Sequence, residues 1–216
     1  MRKTTIVASI LSLVAASAVG AYALGYQDPH APKMPTKEEI EKGWARYMEL
    51  MKPSETHKFL DQFVGKWNMT TRMWMGASTG DPTPPMEDTK GSCEANWLYD
   101  GRWIQSKTKF NMMGMAVEST VLMGYDNYKK KFVFSKVDNV TTNMLFAEGV
   151  LDRTGKNLVF YGPLDEPITN EHDKPVKYAY RMLNKDKYVL EIHDLAIGET
   201  NAKVLEFEFN RVKEAK

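Results

Sequence analysis

The chain has one cysteine, Cys93, and four histidines among 216 residues. A single cysteine excludes an internal disulfide, so the fold must stand on its core. With no second Cys and no His beside it in sequence, Cys93 reads as a small buried hydrophobe, not a redox nucleophile. HxH, HExxH and CxxC are absent, which leaves no pattern for a structural zinc site. GxSxG, GxGxxG and the phosphate-binding P-loop are absent too, so nothing points to a serine hydrolase or a nucleotide enzyme. Charge of one sign is also lacking. Lys and Arg number 29 against 28 Asp and Glu, a formal charge of +1 with no long run. No nucleic-acid partner is expected from that balance.

Between Lys3 and Asp28 no charged residue occurs. Arg2 and Lys3 precede a short apolar stretch, Ile6 to Val14, and small-residue sites end at Ala18 and Ala23. That is the pattern of a secretory signal peptide over 1–23, and it predicts a secreted or periplasmic protein. Its removal takes the charge from +1 to +1 − 2 = −1. The rival reading is an uncleaved anchor, because the uncharged stretch is long enough to span a bilayer. After cleavage no stable membrane insertion is expected. No cysteine near the cleavage site marks a lipoprotein.

What is present is hydrophobic patterning: 43% hydrophobic and 11% aromatic residues, enough for a sizeable core. Residues 24–53 read as a Pro-rich linker followed by an amphipathic helix. Thr36 and Glu39 have capping-box spacing. Ile40, Trp44, Tyr47, Met48 and Met51 then form one helical stripe, ended by Pro53. Ser54 can cap a second short helix carrying Phe59, Leu60 and Phe63. From Gly65 the period changes to two. Strands are expected at roughly 66–76, 90–98, 102–111, 116–125, 131–138, 142–151, 157–161, 175–184, 187–194 and 203–212. Tight turns separate most of them, so 54–216 reads as an antiparallel meander that closes to remove its edges. The expected fold is mainly β: an up-and-down barrel of eight to ten strands, preceded by one or two helices. A two-sheet sandwich is the alternative.

Alternation puts Trp67, Met69, Thr71, Met73 and Met75 on one face. Leu205, Phe207 and Phe209, Tyr188 and Leu190, and Tyr178 and Tyr180 behave likewise on later strands. In a closed barrel that apolar side is the interior.

Gly65-Lys66-Trp67, directly after a short helix, resembles the G-x-W opening of the lipocalin and fatty-acid-binding barrels. That resemblance implies a Trp closing one barrel end, with Arg211 the positional candidate for a cation above it. A broader match runs through HKFLDQFVGKW, GSCEANWLYDGRWI, MGMAVESTVLMGYDNYKKKFVFSKVDN, EGVLDRTGKNLVFYG and EFEFNR. In order and content these resemble the bacterial family named domain of unknown function 1579, over about residues 56–212. Lys136 stands where that family usually has Trp, and Ser119 where it usually has Gly. The resemblance implies a lipocalin-like barrel and supplies no reaction.

The functional expectation is an exported barrel that binds a small apolar or amphipathic ligand in its interior. The expected lining is Trp67, Met69, Met73, Met75, Trp97, Phe134, Tyr178 and Tyr180, with Met113 and Met115 near an entrance. His57 and Arg211 are assigned to closure. No catalytic residue, metal ligand or cofactor is assigned, and no protein partner is named. Two alternatives stand beside this. An enzyme would use an internal acid or base drawn from Asp138, Glu148 and Tyr178, or the pair Glu191 and His193. A Cu(I) protein would use Met69, Met73 and Met75 with Met112, Met113 and Met115, since thioethers select soft cations. Against copper, same-face neighbours on one strand lie about 7 Å apart, too far to share an ion without a second strand.

Overall fold

The structure is a computed structural model that describes residues 34–75, 83–167, 169–195 and 202–213. The expected signal peptide 1–23, the start of the linker and His30 lie outside the described residues. No helix among the described residues is long and apolar enough to cross a membrane. The chain divides into two compact units, with the break after Arg46.

Helix α1 runs from Lys37 to Leu50. Its start is the expected capping box: the Thr36 N–H donates to Glu39 Oε2 (2.7 Å) and the Glu39 N–H to Thr36 Oγ1 (3.3 Å). The apolar stripe stays about half exposed from Ile40 to Met51. A nine-residue 3-10 helix, Glu55–Phe63, follows and buries His57, Leu60 and Phe63.

Ten strands then form the barrel: β1 Gly65–Met73, β2 Met86–Leu98, β3 Trp103–Met112, β4 Met115–Asp126, β5 Lys131–Asp138, β6 Leu145–Leu151, β7 Asn157–Glu166, β8 Glu171–Asn184, β9 Lys187–Asp194 and β10 Ala202–Arg211. Each strand pairs antiparallel with the next, and β1 pairs with β10 to close the ring. The expected alternation holds. Trp67, Met69 and Thr71 are buried while Lys66 and Asn68 are exposed.

Strand β1 ends earlier than expected, β2 begins earlier and β6 later, and the β7–β8 hairpin differs most. Residues 162–174, read as a loop containing His172, extend β7 and β8, and His172 lies on β8. Pro163 lies beyond the expected strand 157–161, and Pro175 begins the expected strand 175–184. They stand opposite each other in the β7–β8 ladder. Pairing of β7 with β6 ends at Tyr161, and pairing of β8 with β9 ends at Val176. Each proline thus sits just past its other neighbour's ladder, where a missing N–H breaks no strand pairing.

Candidate functional site

Hairpin geometry gives the barrel two unlike ends. The 3-10 helix, the start of β1 and the end of β10 share one, the helix end. The turns β1–β2, β3–β4, β5–β6 and β7–β8 share the other, the mouth.

The helix end is shut. The Trp67 indole N–H donates to the Phe63 carbonyl (2.9 Å). Arg211 lies over the indole, its guanidinium carbon 4.0 Å from the ring centre. Arg211 also donates to the carbonyls of Val64 (2.7 Å), Gln62 (2.9 Å) and Lys185 (3.1 Å). Gly65 has φ +126°, and a Cβ there would stand 2.7 Å from Arg211 Nη1. His57 plays the part a Glu plays in a capping box: its Nδ1 accepts the Ser54 N–H (2.9 Å). Burial pushes the His57 imidazole below its usual pKa. Trp97 donates to Asp61 (2.9 Å), tying β2 to the same cap.

Beneath the cap the lumen is filled by rings. Phe63, Trp67, Tyr180 and Phe209 surround Tyr188, with centroid separations of 4.3–6.5 Å. Phe160 packs on Phe134 (4.8 Å) and on Tyr180 (5.9 Å). Cys93 is buried among them, and burial raises its thiol to about 12, so it stays a protonated, unreactive core group. Trp67, Met69 and Tyr180, expected as ligand lining, are thus parts of this packed half.

The mouth half is less closed. Met73, Met112, Leu145, Leu164, Ile192 and Phe207 are in inward phase yet keep part of their surface open. Phe134 and Tyr178 are buried just below, 5.2 Å apart. The hydroxyls of Tyr178 and Thr71 are sealed from solvent and have no hydrogen-bond partner among the described residues. Burial, with the Asp194 charge adding to it, pushes the Tyr178 hydroxyl well above its usual pKa. Thr71 was on the expected interior face but carried no sequence signal of its own. Met75 falls after β1 ends and is 60% exposed. Met113 and Met115 sit at the β3–β4 turn, on the rim.

The acid–base candidates do not converge. Asp138 caps the turn after β5, accepting from the N–H groups of Val140 (3.0 Å) and Thr141 (2.8 Å). Burial opposes its charge, but Lys136 at 2.5 Å and the Thr141 groups outweigh burial and hold it at about 2. Lys136, where relatives are expected to carry Trp, thus serves as the counter-ion of Asp138. Glu148 points out of the barrel, paired with Lys129 and Lys131. Glu191 and His193 lie 3.2 Å apart on the outer face, where Glu191 also accepts from Arg181 (2.8 Å). Neither side chain is freely solvated; each is about 13–14% exposed.

A cleft of about 380 Å³ lies outside the lumen, beside the cap. Its polar groups already hold the chain. Arg102 donates to Tyr99 and Met51 carbonyls, and Asn127 to those of Leu50 and Lys52. No trio of His, Cys, Asp or Glu among the described residues is placed to hold a metal.

Ten antiparallel strands, each pairing with the next and closed on themselves, define an up-and-down β-barrel with one end shut by a helix. The sequence pattern described as "Protein of unknown function (DUF1579)" matches residues 52–211, and the chain belongs to that family. Among solved structures it is similar to Rv2717c from M. tuberculosis, with 12% identity, a TM-score of 0.51, and coverage of 75% of this chain and 100% of that one. At that identity the likeness speaks for the fold alone. No curated protein matches.

Proposed function

We propose that the barrel binds a small amphipathic molecule in the mouth half of its lumen, outside the cytoplasm. The pair of sealed hydroxyls carries this reading. A buried hydroxyl with no partner costs about 1–3 kcal/mol, and Tyr178 and Thr71 both stand in that state. A ligand whose polar group reaches either hydroxyl recovers part of that loss. Its apolar part fits against Phe207, Ile192, Leu145 and Leu164, which are inward yet not sealed. The aromatic filling under the cap limits the ligand to the mouth half, so a short chain or single ring suits it better than a long acyl chain. The signal-peptide pattern supports a secreted or periplasmic site of action.

Native mass spectrometry of protein purified from its own host tests this. The expected result is an organic adduct, released by solvent. Tyr178→Phe, which loses one hydrogen bond, should weaken its retention about tenfold. Wild-type protein that carries no adduct and takes up none of a panel of short fatty acids and alcohols sinks the reading.

A further inference from the structure

We infer that the rim of the mouth is a soft-cation site, where methionine thioethers from β1 to β4 hold a Cu(I)-class monovalent ion. Each of these four strands presents a methionine in inward phase at its mouth end: Met73, Met86, Met112 and Met115. The register pairs them. Met73 is the direct cross-strand partner of Met86, and Met112 of Met115. Directly opposed residues on one face have Cβ atoms about 4.5–5.5 Å apart. Two flexible thioethers from such a pair can reach one ion, which neighbours along a single strand cannot. The objection raised by the sequence therefore falls once β2 and β4 supply the second members.

The two pairs are also tied to each other. Asp88, two residues past Met86, accepts the N–H of Asn111 at 3.0 Å, and Asn111 precedes Met112. That bond brings the β1–β2 and β3–β4 hairpins together at the rim. The chemistry is selective. Thioethers are neutral, soft ligands that favour Cu(I) over hard divalent ions. Met86 and Met115 are 51% and 47% exposed, so an arriving ion finds them open. Among the described residues, the inward mouth positions of β5 to β10 carry no methionine; they hold residues such as Lys136, Leu145, Lys174 and Ile192. Among strand residues in inward phase at this end, the thioethers are confined to one arc, while Met144 lies in the β5–β6 turn.

The test uses the full chain with ¹³C-labelled methionine methyls, titrated with Ag(I) as a redox-inert probe, beside Cu(I) competition against bicinchoninate. The expected result is a shift of the Met73, Met86, Met112 and Met115 methyls that saturates at one ion, with Met69 and Met123 unmoved. Met86→Leu with Met115→Leu keeps the volume and should weaken binding at least about tenfold. Met144→Leu should leave it unchanged. Shifts spread evenly over exposed methionines such as Met34 and Met48 overturn the site. So does a Leu double variant that binds like wild type, or a methyl spectrum that Ag(I) leaves unmoved. The double variant should still retain the amphipathic adduct, so failure here is distinguishable from failure of the carrier reading.

Discussion

At the helix end Trp67 is 1% exposed under Arg211; at the mouth Met86 and Met115, in the same inward phase, are about half open. Both ends come from one alternation of side chains. What differs is what lies across the opening. A 3-10 helix with three buried side chains, and an arginine donating to three carbonyls, seal one end. At the other, apolar side chains in inward phase keep part of their surface exposed. Inward phase is therefore not the same as core. The half of the lumen beneath the cap is structural filling, so the binding proposed above belongs to the other half.

Three measurements press on that contrast, the largest effect first. Trp67→Ala removes a sealed ring and its cation contact, and should cost about 3–5 kcal/mol in denaturant unfolding. Met86→Ala at the mouth should stay within about 0.5 kcal/mol. Equal costs at the two sites would erase the distinction. Gly65→Ala forces a side chain into φ +126° and against Arg211, and should cost about 1–3 kcal/mol, read as a lowered Tm. The smallest effect is on pH. The folded His57 pKa lies below the ordinary 6.5, so its neutral form stabilises the fold above 6.5, and that contribution fades as pH falls below it. Protonating Nδ1 also removes the acceptor for Ser54. His57→Gln should flatten the acid limb of a stability–pH curve. His193, also held low by burial, leaves a residue of that slope. An unchanged limb in the variant removes His57 from the cap.

Much of the barrel was legible because β-period patterning is a local signal. The alternation from Trp67 to Met73 and from Leu205 to Phe209 set phase before any pairing was known. The β7–β8 extension was not legible, since whether Pro163 and Pro175 interrupt a ladder depends on where the outer neighbours stop. Site residues divided on the same line. Which face Thr71 and Tyr178 occupy could be read from the chain. That their hydroxyls end up without partners could not, because it depends on side chains from distant strands. The pairing of Met73 with Met86 was hidden for the same reason: register across a long turn is a property of the closed ring. Glu148 was misplaced as a possible interior acid because its neighbours were counted for hydrophobicity and not phased from Ala147 and Gly149, which face in.

Arg211 clasps Val64 across 147 residues of chain, and the last strand is what supplies the first with its second neighbour. A growing polypeptide therefore cannot lock this ring until β10 has been synthesised. Until that moment β1 offers a bare, Met-rich margin to any other strand nearby. Maturation of the ring should accordingly be slow, governed by its longest-range contact, and should profit from a companion that shields that margin in the meantime.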